Sequence, residues 1–245
     1  MNNVISGQLF RCVRNKSFRV MTLIMIPLGF FLTLLMKEVQ AEMDETIILN
    51  GFSMISQGIE GDTMFMFIGI LATLLFASDF SSGSIRQIIG KGIDRTKYVV
   101  GTLVSVSVFV LVMMAALFLS LFLSGSLLGE GIGSFHESNI GNVLLCVLVF
   151  GFFYVAYILL IVSSSRKVSI SLIAAILTPT ILNLITKGIT LLTKKNFLFD
   201  PLTQMSTALS ESATNAQRVT ALVCYFIAGL FLCVASIIVI KKRDV

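Results

Sequence analysis

Charge is what this sequence has least of. Only 13% of its 245 residues are charged, while 56% are apolar. A water-soluble domain carries about 25% charged residues. So little charge does not cover a water-facing surface. This excludes a soluble enzyme, a disordered chain and a nucleic-acid-binding protein, and leaves a polytopic membrane protein. Cysteine and histidine are also scarce. Cys146, Cys224 and Cys233 lie inside apolar runs and Cys12 among basic residues, so no disulfide framework is readable. There is no C-x-x-C pair, and the single histidine, His136, has no second His or Cys beside it to make a metal site. No G-x-x-x-x-G-K-[ST] occurs, because Gly90-Lys91 is followed by Gly92 and lacks the earlier glycine; the chain is not expected to hydrolyse ATP. The first apolar run is followed by Lys37-Glu38 rather than a small-residue cleavage site, so it reads as an uncleaved helix.

What the chain has instead is long uncharged runs. A membrane span needs roughly 17–25 apolar residues at 1.5 Å each. Six stretches approach or meet this: Val20–Met36, Thr63–Ser78, Val99–Leu128, Ile140–Ser165, Val168–Thr186 and Val219–Ile240. Backbone in lipid must satisfy its own hydrogen bonds, so each is expected to be a helix. The second is short and extends into Asp79 and Phe80; the third is long enough to tilt or protrude. Pro27 and Pro179 fall inside spans one and five and should kink them.

Sidedness follows from Lys and Arg. With the N-terminus inside, the inner segments hold Arg11, Arg14, Lys16, Arg19, Arg86, Lys91, Arg95, Lys97, Arg166, Lys167, Lys241, Lys242 and Arg243. The outer segments hold only Lys37, Lys187, Lys194, Lys195 and Arg218. Thirteen against five predicts six spans with both termini cytoplasmic, in one transmembrane domain over residues 1–245.

Four of the segments outside these spans carry a readable pattern. Residues 1–19 are expected to form a cytoplasmic interfacial helix, with Ile5, Leu9, Cys12 and Val13 on one side and Arg11 and Arg14 opposite. The first outer loop, Lys37–Asp62, is acidic; its spacing does not match a calcium loop, so it reads as solvated. Residues 187–218 form the longest extracellular segment, and Asp200-Pro201 starts an amphipathic helix over about 201–213 carrying Leu202, Met205 and Leu209. The inner loop over residues 79–98 is the most informative. Ile85, Ile88 and Ile89 recur at i, i+3, i+4, which predicts a short helix with one apolar stripe and Arg86 off it. Ser81 or Ser82 can cap its start, and Gly90 and Gly92 end it. It is too short to cross; by composition it either lies on lipid or docks into a protein groove.

At these residues the chain resembles the permease subunits of type-2 ABC transporters. Those proteins have an N-terminal interfacial helix and six spans. After span two they carry an acidic residue, a glycine-containing short helix, a turn with arginine, and an aromatic leading into span three. The matching positions are Asp79, Gly83, the run Ile85, Arg86, Gln87, Ile88 and Ile89, then Gly92 to Arg95, and Tyr98. The family usually has Glu where this chain has Asp79, and often Lys where it has Gly101-Thr102. The small size resembles the bacitracin-resistance and lantibiotic-immunity branch, which exports or protects against antimicrobial peptides.

The resemblance implies a coupling helix that docks on a separate ATP-binding subunit, which would bind the ATP and magnesium; this chain itself would need no cofactor. Asp79, Gly83, Ile85, Arg86, Ile88, Ile89 and Arg95 would form that contact, with Arg166 and Lys167 adding a second, smaller one. A second permease, identical or related, would complete the path in a bacterial cytoplasmic membrane. Phe65, Phe67, Phe152, Phe153 and Tyr157 are candidates to touch an amphipathic cargo, or are simply packing surface. No charged residue lies mid-span, where ion-coupled carriers place carboxylates or histidine. Rival readings are a non-transporting membrane scaffold or sensor component, and a passive channel. An intramembrane protease would need a G-x-S-G turn and an intramembrane histidine; Ser81-Ser82-Gly83 lacks the first glycine, and His136 lies in a loop.

Overall fold

The computed structural model describes residues 2–43, 49–60, 62–81, 85, 90, 92–133, 140–165, 167–193 and 215–242. Among these there are eight longer helices and no strand. They are α1 (Asn2–Arg14), α2 (Lys16–Met43), α3 (Gly51–Glu60), α4 (Asp62–Ser81), α5 (Arg95–Leu128), α6 (Ile140–Ser165), α7 (Val168–Thr193) and α8 (Asn215–Lys242). The protein is an all-α polytopic membrane protein: among the described residues four helices are long and apolar enough to cross a bilayer, over Lys16–Gln40, Arg95–Leu128, Leu144–Ser165 and Asn215–Lys242. Shorter apolar stretches, Met66–Ala77 and Val168–Thr178, lie within α4 and α7.

Side-chain contacts set the helix directions. Along α2 and α5 the pairs run Phe18 with Phe109, Ile26 with Ser120, Thr33 with Ser124 and Lys37 with Leu128, so the two helices are parallel. Along α6 and α8, Phe150 meets Tyr225 and Phe152 meets Phe226, with Gly229 against Phe152 and Phe153 further on, again parallel. At the start of α5, the Arg95 guanidinium reaches the carbonyls of Ile240 and Lys241 at the end of α8. Helices α6 and α7 are joined through residues 166 and 167 and closed by a 2.7 Å bond between Ser165 and Ser171. The starts of α2, α5 and α7 and the ends of α6 and α8 therefore share one face of the bundle.

In lipid, apolar burial does not drive helices together; close packing and interhelical hydrogen bonds do. The α2–α5 seam is built this way. Gly29 and Thr33 on α2 face Ser120 and Ser124 on α5. The Thr33 and Ser124 hydroxyls lie 2.6 Å apart, Thr33 also donates to the Gly29 carbonyl at 3.0 Å, and Ser120 donates to the Ile26 carbonyl. A methyl group on Gly29 would fall 2.7 Å from Ser120 Cβ, so only glycine permits this approach.

The first outer segment differs from expectation. It is not simply a solvated acidic loop: α2 continues to Met43, and α3 follows with Met54 and Ile55 buried. Asn50 and Ser53 cap its start reciprocally, at 2.9 and 2.8 Å. The chain just before α3 lies against Gly125 and Gly129, four residues apart on α5, and Glu130 N–H donates to the Leu49 carbonyl at 2.7 Å. Helix α5, at 34 residues about 51 Å long, exceeds the roughly 30 Å hydrocarbon core, and α3 packs along its C-terminal part. Helix α7 also runs past the expected Thr186, to Thr193. The amphipathic helix expected over 201–213, and His136, lie outside the described residues.

Candidate functional site

The loop between α4 and α5 is the region where sequence points to chemistry with a partner. Asp79 falls in the last turn of α4. Gly83, Arg86, Ile88, Ile89 and Arg166 lie outside the described residues. Ile85 and Gly90 are both helical. The sequence pattern puts Ile85 on an apolar stripe, which the resemblance turns toward a partner; instead it is 1% exposed and belongs to the chain's own core. A branched apolar side chain at the base of a short loop gains more by packing into the adjacent bundle than by standing in water. Ile85 thus anchors the loop rather than presenting a surface.

Beyond Gly90 the chain turns at Gly92, whose φ of +83° is a left-handed conformation suited to glycine. Asp94 then caps α5: its carboxylate accepts from Thr96 N–H at 3.4 Å, and its carbonyl from Tyr98 N–H at 3.0 Å. Tyr98 is buried one turn on and its carbonyl accepts from Thr102 at 2.8 Å. Arg95, expected to orient a partner, has a partner within the chain. One guanidinium nitrogen donates to both Ile240 O, at 3.2 Å, and Lys241 O, at 3.0 Å. These are among the last carbonyls of α8, which have no intrahelical donor, so a cation there satisfies them and opposes the negative end of the helix dipole. The loop base is therefore tied to the last helix by Arg95 and to the core by Ile85. Lys167, in the α6–α7 connection, is exposed on the same face.

Around mid-bundle, the aromatic residues expected to meet cargo divide. Phe152 tilts against Phe226, with centroids 5.6 Å apart, and Phe153 meets Tyr225 edge-on at 5.1 Å. Phe67 is half-buried against the core, and the side chain of Phe65 is not described. Tyr157 donates to Thr178 Oγ1 at 2.8 Å. Phe152 also lines a cavity of about 270 Å³ between α4, α5, α6 and α8, whose walls include Ile68, Met114 and Val155 and are apolar apart from the unpaired hydroxyl of Ser107.

Sequence reasoning missed Tyr154. Pro179 has no N–H, so the carbonyl of Ala175, four residues earlier, loses its helical donor. The Tyr154 hydroxyl supplies one. Gly69 on α4 makes room: a methyl there would sit 3.0 Å from the Tyr154 ring and 3.2 Å from Ala175 Cβ. The usable signal was the proline itself, which demands a polar partner for position 175 at membrane depth.

Among the described residues no group of three or more His, Cys, Asp or Glu side chains is placed to hold a metal ion. No protein-family model matches the chain, and no curated protein matches it.

Proposed function

We propose that this chain is the membrane-spanning subunit of an ATP-driven ABC transporter, crossing the bilayer six times with both termini in the cytoplasm of a bacterial cell. In this reading α4 and α7 are the two further spans. The observation that supports the topology in this reading is the placement of basic residues. Arg14, Lys16, Arg19, Arg95, Lys97, Lys167, Lys241 and Lys242 fall on the face that holds the start of α2 and the end of α8, while Lys37, Lys187 and Arg218 fall at the other. Positive residues are retained on the cytoplasmic side, so that face is the inner one.

The loop over residues 79–98 then lies inside, where a soluble ATPase reaches it. Arg86, Ile88 and Ile89 are its proposed contact, with Asp79, Gly83, Arg166 and Lys167 around it. Ile85 and Arg95 act from within, transmitting motion of the loop to the core and to α8. ATP and magnesium belong to the partner subunit. A second permease completes the path, and an amphipathic or antimicrobial peptide is the proposed cargo. The spans carry no mid-membrane charge, so the energy is taken to enter through the inner loops.

The test is a pull-down with an ATP-dependent export or resistance assay on the same variants. Ile88→Asp should lose ATPase copurification and transport together while still inserting, because a carboxylate buried unpaired in an interface costs several kcal/mol. Glu42→Gln, in the outer segment, should change neither. Normal ATPase binding by Ile88→Asp defeats the coupling assignment. Conductance independent of ATP would replace the transporter by a channel.

A further inference from the structure

Helix α1 is amphipathic, and Val13, expected on its apolar side, instead lies outward with Arg14. Ile5, Gln8 and Leu9 face inward, and α1 packs against α5. The outward side carries Ser6, Gly7, Phe10, Val13 and Arg14. Phe10 is at its centre and is 64% exposed. The Arg14 guanidinium lies over the Phe10 ring, 5.4 Å from its centroid. A single residue, Asn15, joins α1 to α2, and its side chain accepts from Ser17 N–H at 2.9 Å. Arg19 folds back to donate to the carbonyls of Val13 and Arg14, at 3.2 and 3.3 Å, which fixes the corner. Exposed apolar side chains of the spanning helix begin at Val20, just beyond the Asn15 corner.

We infer that the Phe10–Val13–Arg14 face of α1 binds the anionic lipid of the leaflet it lies on, Phe10 entering the acyl boundary and Arg14 and Lys16 meeting the phosphates. Charge complementarity selects this occupant. The first acid in the chain is Glu38, whereas Arg11, Arg14, Lys16 and Arg19 all precede it. No ion pair joins Arg14, Lys16 or Arg19 to an acid among the described residues. An aromatic ring capped by a guanidinium suits an interface with one wet and one apolar side. The inference rests on the membrane character of α2 and not on the transporter reading.

The chain contains no tryptophan, so Phe10→Trp creates a sole reporter at an exposed position. The full-length protein is placed in nanodiscs of phosphatidylcholine, with and without phosphatidylglycerol. Emission from the introduced indole should be blue-shifted and quenched by lipid brominated high on the acyl chain, and quenching should rise with phosphatidylglycerol. Added inorganic phosphate should not displace it. Arg14→Gln should lower the preference for the anionic lipid about fivefold, since each basic residue at an anionic surface is worth about 1 kcal/mol. On protein without the reporter, Arg14→Gln should copurify with less phosphatidylglycerol per chain than the parent. Water-like emission unaffected by quencher, quenching indifferent to phosphatidylglycerol, displacement by free phosphate, unchanged lipid copurification, or shielding that arises only when an ATPase subunit is added would each overturn the inference.

Discussion

Tyr154 illustrates what a single hydroxyl does at membrane depth. Pro179 strips Ala175 of its donor, and water is not there to replace it, so a side chain from the neighbouring helix must. Interhelical hydrogen bonds in membranes average about 0.6 kcal/mol and reach about 1.7. Tyr154→Phe should therefore destabilise the protein by about 1 kcal/mol in a reversible detergent-unfolding assay. Pro179→Ala returns an N–H to position 179 and closes the helical bond to Ala175. In that background Tyr154→Phe should cost much less, and the double-mutant cycle measures the difference. Equal costs in both backgrounds would mean that the tyrosine contributes only through packing of its ring. Arg95 presents a comparable case at the water boundary. Arg95→Met should speed hydrogen exchange in the last turn of α8, because two carbonyls lose their cation, while Asp94 still caps α5. Arg95→Lys should retain part of the protection, since a single ammonium still provides donors.

Between elements, the α2–α5 seam depends on small residues at matched heights. Gly29→Ala should push the helices apart at Ser120, because the added methyl would sit 2.7 Å from Ser120 Cβ. The expected loss is about 1–3 kcal/mol, the usual cost of overpacking, measured by the same unfolding assay. Gly151 is the control. It lies mid-helix in α6 with nothing within 4 Å of an added Cβ, so Gly151→Ala should be neutral or stabilise by up to about 1 kcal/mol. Similar losses at both positions would show that glycine flexibility, not close approach, governs the seam. The end of α7 shows the converse of close packing: Leu191 and Leu192 are 81% and 87% exposed, while Ser171 and Ala175 in its first half are fully buried. Pro179 lies between these two regions, where a helix with a missing bond bends most easily.

For the whole molecule, helix directions and charge make one topological prediction. A reporter fused after Val245 should read cytoplasmic and one inserted at Gly133 should read external, because Gly133 follows the far end of α5 and Lys241 and Lys242 end α8 beside Arg95. Gly133 has a φ of +75° and packs against Asn50, so the reporter is best carried on a flexible insertion. A cytoplasmic reading at Gly133 would remove the six-span arrangement, and with it the inner position of the loop over residues 79–98.

Uncharged length and helical hydrogen bonding are one-dimensional properties, and they were legible along the chain. Ile140–Ser165 coincides with α6, and α1, α2, α5 and α8 extend only a few residues beyond their expected cores or fall within their expected segments. The sparse charge likewise announced a membrane protein, because no folding pattern hides a deficit of polar surface. Which face of a helix meets which neighbour is a three-dimensional property. The periodicity of α1 predicted an amphipathic helix but not its neighbour; packing against α5 turned Ile5 and Leu9 inward and left Phe10 outside. Ile85 read as a surface residue until the bundle supplied a core within reach, and Arg95 as a partner contact until the end of α8 arrived beside it. Helix α3 was read as loop because its acidic surroundings masked ten residues whose apolar side chains pack against α5. Composition and periodicity thus decided that the chain crosses a membrane in helices, since those depend on each segment's own chemistry. Only the tertiary structure decided which polar groups serve the bundle and which are left for partners, since that depends on atoms more than a hundred residues apart, as Arg95 and Ile240 are.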